Sequence, residues 1–144
     1  MKTDSPDCRR PWGAAFALGG IFIFITVVAA LQHLQPGYDA TDQLMSELAL
    51  GPYGWSLFPA FAGLACTTFG IQFELGHLGA IRGLRLLLSA ASLSFLAAGI
   101  FPLGKTFEIH IASIALAFIF MILAMYLFPK QADPLSRLAP RTLS

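Results

Sequence analysis

Residues 12–34 decide the fold: they read WGAAFALGGIFIFITVVAALQHL and contain no Asp, Glu, Lys or Arg. A transmembrane helix needs about 20 apolar residues to cross the roughly 30 Å hydrocarbon core of a bilayer. Inside lipid, the backbone of such a segment satisfies its polar groups internally by forming a helix. The segment therefore predicts a transmembrane helix. Because it is longer than the apolar core of a signal peptide, we expect it to stay in the mature chain.

Three further apolar segments follow, and together the four predict an all-α integral membrane four-helix bundle. We place these helices at 55–75, 84–103 and 108–128, with Pro129 ending the last. Over the 144 residues, 56% are hydrophobic, only 12% are charged, and the mean hydropathy is +0.70. Soluble domains contain about 25% charged residues. We therefore expect one transmembrane domain over residues 1–144, and the net charge of +1 gives no indication of a nucleic-acid partner.

The basic residues predict the orientation of the helices, because Lys and Arg concentrate in cytoplasmic loops. Of the nine Lys and Arg residues, only Lys105 lies in the loops after the first and third helices. We therefore expect a multi-pass protein of the bacterial cytoplasmic (inner) membrane with both termini in the cytoplasm. The basic residues on the predicted cytoplasmic side are Lys2, Arg9, Arg10, Arg82, Arg85, Lys130, Arg137 and Arg141.

Small residues recur at helical spacing in all four predicted helices. Small side chains let helix backbones approach closely in lipid, where no hydrophobic force drives the helices together. We therefore expect these faces to pack against neighbouring helices. They are formed by Gly13, Ala17 and Gly20 in the first helix, by Ala60, Gly63 and Thr67 in the second, by Ser89, Ser92 and Ala97 in the third, and by Ala112, Ala115 and Ala117 in the fourth.

The outer loop at 35–54 is the longest polar stretch of the chain. Within it we predict a short interfacial helix at 42–50, with Asp39 or Thr41 as its N-cap. An amphipathic helix of this kind lies on the bilayer surface or folds over the mouth of the bundle. Its apolar face is formed by Leu44, Met45 and Leu48.

Polar side chains concentrate at this outer end, and we predict that they form a structural cap. Two roles remain open for His110, which either pins the Ser46–Glu47 segment or forms an acid–base pair with Glu47. A buried Glu47 must be paired, so we expect its replacement by Ala to cost about 1–3 kcal/mol. The residues of the predicted cap are Tyr38, Asp39, Ser46, Glu47 and His110.

We predict no metal site, no haem and no other cofactor. The sequence contains no HxxxH or HExxH spacing, and a zinc site would need ligands from three separate elements. The predicted membrane core contains hydroxyl side chains but no acidic residue. Because such hydroxyls bond back to carbonyls of their own helix, we do not expect a transporter.

Glu74 lies near the predicted inner end of the second helix, across a short Gly-rich turn from Arg82 and Arg85. Carboxylates and guanidinium groups form strong hydrogen-bonded pairs where their geometry allows it. We therefore predict a structural salt bridge between Glu74 and one of the two arginines.

Two stretches beside the predicted helices carry distinctive motifs, QPGYDATDQLMSELA at 35–49 and GIFPLGKTFEIH at 99–110. Their order and placement resemble the domain of unknown function 998 family of prokaryotic membrane proteins. That family carries Pro-x-Tyr and Ile-Ser-Glu-Leu after the first helix, then Gly-x-Phe-Pro-x-Asp followed by a His. The resemblance covers about residues 14–128 and implies a multi-span fold with a polar outer site, but no reaction. Family members usually have more spans, and Gly104 stands where an acidic residue is common, which puts a family activity in doubt here.

We expect a non-enzymatic accessory subunit, or an assembly or stabilising factor, of a larger membrane complex. Its expected partners are membrane lipids and other membrane protein subunits. The reasons are the small size, the absence of a deep polar path and the Phe- and Ile-rich helices. The alternative is a membrane-embedded enzyme that acts on lipid headgroups at the outer leaflet, with Ser46, Glu47 and His110 as catalytic candidates. Convergence of the Glu47 carboxylate and the His110 imidazole on one lipid-accessible cavity would favour the enzyme.

Overall fold

Four long α-helices make up most of the described part of the chain. The computed structural model describes residues 12–104 and 106–132, the last four by their backbone alone. Each helix is long and apolar enough to span a membrane, and no strand occurs in these two ranges. The chain is therefore an all-α multi-pass membrane protein. Lys105 and the basic residues of both chain ends, on which the predicted orientation depends, lie outside the described residues or have no described side chain. The helices are α1 (Trp12–Leu34), α2 (Leu57–His77), α3 (Arg82–Ile100) and α4 (Phe107–Ala132).

The helix ends agree with the predictions to within a few residues, and two of the differences lie at prolines. α3 ends at Ile100, before the predicted end at 103, because Phe101 precedes Pro102 and adopts a non-helical conformation (φ −104°, ψ 85°). The expectation that Pro129 ends the last helix is wrong, since α4 continues to Ala132. A proline removes one backbone hydrogen bond, but its fixed φ of about −65° is compatible with a helix.

The helices pack in chain order: α1 contacts α2, α2 contacts α3, and α3 contacts α4. Over an 18-residue apolar segment of each helix, 39% of the residues are buried in α2, against 11% in α1 and 17% in α4. Within the described residues, no extensive packing joins α1 to α4. We call the end where α1 and α3 terminate the mouth, and the opposite end the base. The main core lies toward the mouth and includes Leu31, Leu48, Leu57, Ala60, Phe61, Phe95 and Ala98.

Glycines bring α1 and α2 into close contact, and Gly20 belongs to the predicted small-residue face of α1. An added Cβ on Gly20 would lie 2.6 Å from Thr67 Oγ1 and 2.8 Å from Thr67 N. An added Cβ on Gly70 would lie 2.7 Å from Ala17 N. Thr67 uses this proximity, because its hydroxyl donates to the Ala17 carbonyl at 3.1 Å as well as to Gly63 of its own helix at 3.0 Å. The interface therefore combines backbone contact with a shared interhelical hydrogen bond.

Most hydroxyls in the membrane core bond within their own helix, as predicted. Thr68 and Ser94 donate to the carbonyls four residues earlier, at 2.8 Å and 2.9 Å. Ser92 differs, because its hydroxyl donates to the carbonyl of Ala65 on α2 at 2.8 Å. Ser92 therefore connects α3 to α2.

Glu74 does not form the predicted salt bridge. Its Oε1 accepts a hydrogen bond from the backbone N–H of Ala14, in the first turn of α1, at 3.2 Å. In the described part of the chain, no ion pair joins Glu74 to Arg82 or Arg85. The first N–H groups of a helix have no partner in their own helix, and the positive end of the helix dipole favours a carboxylate. Glu74 therefore caps α1 from the end of α2.

Candidate functional site

The loop between α1 and α2 folds back over the mouth. Residues Met45–Leu50 form a 3₁₀ helix, which is shorter than the predicted helix at 42–50. Leu48 is fully buried and packs in the core with side chains of α1 and α2, and Met45 packs beside it. Leu44 does not join this face, since it is 63% exposed. The loop is thus fastened to the bundle mainly through Leu48.

Asp39 stabilises a turn that precedes this 3₁₀ helix. Its Oδ1 accepts hydrogen bonds from the Thr41 hydroxyl at 2.7 Å and the Thr41 N–H at 2.9 Å. These bonds, the hydroxyl bond first, lower the pKa of the Asp39 carboxyl. The predicted N-cap role is wrong, because the 3₁₀ helix follows Leu44 and has no side-chain cap.

Glu47 lies beside a small polar cavity of about 170 Å³, together with Gln35, Tyr38 and Gln43. Among the described residues, its carboxylate has no hydrogen-bond or ionic partner. The Gln35 side chain lies against Gly51, where an added Cβ would overlap with the Gln35 amide. Gln35 Oε1 is buried, and no described residue donates a hydrogen bond to it. Because the Glu47 carboxylate has no partner among the described residues, its predicted pairing with His110 is not formed.

His110 fastens the start of α4 to the end of α3. The side chain is fully buried, and its Nδ1 lies 2.9 Å from the carbonyl oxygen of Ala98 and 2.8 Å from that of Phe101. Both partners are acceptors, so Nδ1 carries a hydrogen and donates it. If α3 continued, the N–H of residue 102 would donate a hydrogen bond to the Ala98 carbonyl, but Pro102 has no N–H. His110 replaces this missing donor.

The second ring nitrogen of His110, Nε2, is buried and has no hydrogen-bond partner within the described residues. Because Nδ1 holds the hydrogen, Nε2 of the neutral ring is an acceptor. A buried acceptor without a partner costs about 1–3 kcal/mol. His110 also borders a cavity of about 370 Å³, which we call the mouth cavity. Its other lining residues are Ala49, Gly54, Trp55, Leu57, Phe58, Phe61, Ala98, Gly99, Ile100 and Pro102.

The three catalytic candidates do not form a catalytic arrangement. Glu47 lies at the polar cavity and His110 at the mouth cavity, so the two side chains do not converge on one space. Ser46 is buried, and it shares no hydrogen bond with Glu47 or His110 in the described part of the chain. The described residues also contain no group of three His, Cys, Asp or Glu side chains that could hold a metal ion.

Sequence reasoning missed the partner of His110 and the mouth cavity itself. The available signal was Pro102, because a proline at that position deprives the Ala98 carbonyl of its donor. A buried polar side chain nearby in the chain can replace this donor, and His110 lies at the start of the next helix. The cavity gave no comparable signal, since Trp55, Phe58 and Ile100 look like ordinary lipid-facing residues.

Comparison with known proteins identifies the family. The profile described as "Protein of unknown function (DUF998)" matches residues 17–144, a range that includes the Ser46–Glu47 motif and the Pro102–His110 connection. No curated protein matches the chain, and no solved structure matches it. The chain therefore belongs to the DUF998 family of proteins of unknown function.

Proposed function

We propose that the protein is a non-enzymatic accessory subunit, or an assembly or stabilising factor, of a larger complex in the bacterial cytoplasmic membrane. The proposal is supported by the use of polar groups inside the bundle. Thr67, Ser92, Glu74 and His110 each connect two helices through a backbone group. These contacts hold a scaffold together and leave no acid–base pair prepared for a reaction.

The observation that carries the proposal is an apolar groove at the base of the bundle. The groove has a volume of about 300 Å³ and lies between α2, α3 and α4. Transmembrane helices associate through van der Waals packing, which requires surfaces of complementary shape. A concave surface bounded by three helices supplies such a shape. The groove is lined by Ile71, Leu75, Leu84, Leu88, Met121, Ala124, Met125 and Phe128.

The occupant that we propose for the groove is a transmembrane helix of a partner protein. Ala124 is buried at the contact between α3 and α4, and a small residue there allows a partner side chain to come close to the α4 backbone. Met121 and Met125 flank it, and methionine adapts its shape to the surface that it meets. A partner helix would therefore insert bulky aliphatic or aromatic side chains.

The enzyme alternative has less support. Acyl or headgroup transfer through a nucleophile needs that nucleophile within hydrogen-bond reach of its base. Ser46 and His110 share no hydrogen bond, and the Glu47 carboxylate lies at a different cavity from the His110 imidazole.

Photo-crosslinking in native membranes tests the proposal. A photoreactive amino acid replaces Met125 in the groove or, as a control, Phe22 on α1, since both side chains are well exposed. We expect a protein adduct from position 125 and only lipid adducts from position 22. Protein adducts from position 22 alone would exclude the groove as the interface. Recovery of the gently extracted chain as a lone monomer, without adducts at either position, would overturn the accessory role.

The expected orientation, with both termini in the cytoplasm, has its own test. In a variant whose own cysteines are replaced by serine, Ala40→Cys lies in the loop at the mouth and Leu78→Cys in the turn at the base. A membrane-impermeant maleimide added to intact cells should label the first and not the second. The reverse pattern would place both termini outside the cytoplasm.

A further inference from the structure

We propose that the polar cavity beside Glu47 binds the primary ammonium group of a lipid headgroup, as in phosphatidylethanolamine, and that the Glu47 carboxylate accepts its hydrogen bonds. Every described residue that lines this cavity belongs to the loop between α1 and α2. Its volume of about 170 Å³ is well below the roughly 300–1,000 Å³ of pockets for complete small molecules. The cavity therefore fits the end of a headgroup and not a whole lipid.

The carboxylate of Glu47 is open to such a ligand. Glu47 is partly exposed, and its carboxylate has no hydrogen-bond or ionic partner among the described residues. Neither of its oxygens is buried, because the buried side-chain polar atoms without a partner belong, in the described chain, to Gln35 and His110 alone. A carboxylate accepts hydrogen bonds and donates none, whereas an ammonium group carries three N–H donors and the opposite charge. The two groups are therefore complementary.

The charge of the mouth favours a cation wherever its single lysine side chain lies. The loop at 35–54 contains three carboxylates and no Lys or Arg. Residues 101–110, from the end of α3 to the first turn of α4, add one carboxylate and Lys105, so four negative charges stand against one positive charge. Lys105 cannot reverse this balance, and a region of one charge sign attracts groups of the other. The four carboxylates are those of Asp39, Asp42, Glu47 and Glu108.

The depth of the cavity in the membrane favours a lipid over a free amine. The 23 residues of α1 span about 35 Å at 1.5 Å per residue, slightly more than the roughly 30 Å of hydrocarbon in a bilayer. Gln35 and Pro36 follow α1 directly and line the cavity, so the cavity lies at the level of the headgroups. Tyr53 and Trp55 are exposed in the same loop, and these residue types are enriched at that level. A lipid headgroup therefore reaches the cavity while its acyl chains remain in the bilayer.

The test compares two lipids on the full-length chain in phosphatidylcholine nanodiscs. One is phosphatidylethanolamine and the other phosphatidylcholine, each with a photoreactive diazirine at the same position near the glycerol. Choline keeps the positive charge but has no N–H donor. We expect the ethanolamine lipid to label the cavity residues Pro36 and Leu50 about fivefold more than the choline lipid does, the effect of one partly exposed, charge-assisted hydrogen bond. Equal labelling would overturn the proposal. Loss of the labelling in excess soluble phosphoethanolamine would assign the cavity to a free amine and would overturn the choice of a lipid.

Two carboxylates of the same loop provide matched variants. Glu47→Ala removes the proposed acceptor, and Asp42→Ala removes an equal charge from an exposed residue that is not part of the cavity lining. We expect the labelling ratio of the two lipids to fall to about one in Glu47→Ala and to stay near fivefold in Asp42→Ala. Equal ratios in the two variants would mean that the net charge of the loop sets the preference, and they would overturn the assignment to Glu47. If a variant fails to fold, the comparison of the two lipids on the unaltered chain still decides. Neither result depends on a partner protein at the base.

Discussion

Two adjacent glycines of α1 allow a matched test of how the bundle holds together. An added Cβ on Gly20 would lie within 2.8 Å of Thr67 N and Oγ1, whereas one on Gly19 would have no described atom within 4 Å. Both Gly→Ala changes raise helix propensity by the same amount, about 1 kcal/mol. This gain cancels in their comparison. The difference in unfolding free energy between Gly19→Ala and Gly20→Ala therefore isolates the packing of α1 on α2.

The magnitude follows from two contributions. Overpacking of a close interface costs about 1–3 kcal/mol. Separation of the helices also breaks the hydrogen bond from Thr67 to the Ala17 carbonyl, and such bonds average about 0.6 kcal/mol in membranes. We expect Gly20→Ala to be less stable than Gly19→Ala by about 2–3 kcal/mol, measured by reversible unfolding in mixed micelles with increasing dodecyl sulfate. Equal stabilities would refute close α1–α2 contact at Gly20.

Three further predictions concern the mouth. Leu48→Ala should destabilise the protein by about 2–5 kcal/mol because Leu48 is fully buried. Glu47→Ala changes a neighbouring carboxylate that has no partner among the described residues, so it should alter stability by less than about 0.5 kcal/mol. Equal effects of the two changes in chemical unfolding would contradict the fold of the loop. His110→Ala should destabilise less in a Pro102→Ala background than alone, because residue 102 then supplies an N–H to the Ala98 carbonyl, and a double-mutant cycle measures this coupling. The hydrogen bonds that lower the pKa of Asp39 favour its charged form, so the turn gains stability above about pH 4 and loses it as the pH falls further. Opening of the Asp39 turn, measured by amide exchange, should therefore increase as the pH falls below about 4. This increase should be absent in Asp39→Asn.

The helices could be predicted because bilayer thickness sets a length that the sequence displays directly. α1 has the same limits as the uncharged segment at 12–34. The packing role of small residues was also predictable, since Gly20 and Gly63 belong to small-residue faces and lie at the contact of α1 with α2. The pairing of these two helices was not predictable in this way, because all four helices carry such faces. These features depend on properties of single segments, which a sequence contains in full.

The polar contacts were predicted poorly because their partners are backbone atoms. Opposite charges suggest Glu74 with an arginine, and depth suggests Glu47 with His110, yet both expectations are wrong. Glu74 accepts from an N–H at the start of α1, and His110 donates to carbonyls at the end of α3. Helix ends carry unsatisfied N–H and C=O groups. Sequence patterns name side chains, whereas these backbone groups become apparent only when the helix ends are placed.

Packing in chain order has a consequence for how the protein is made. Extensive contacts between the four helices join only helices that follow one another in the chain, so the interfaces of the bundle can form in the order of synthesis. Contacts between neighbours in the sequence favour rapid folding, and N-terminal parts can assemble while later parts are still being synthesised. Glu74 belongs to this sequence of events, because α1 receives its cap only when α2 has been completed. The α1–α2 hairpin is then the first unit to be finished, and α3 and α4 add to it one interface at a time.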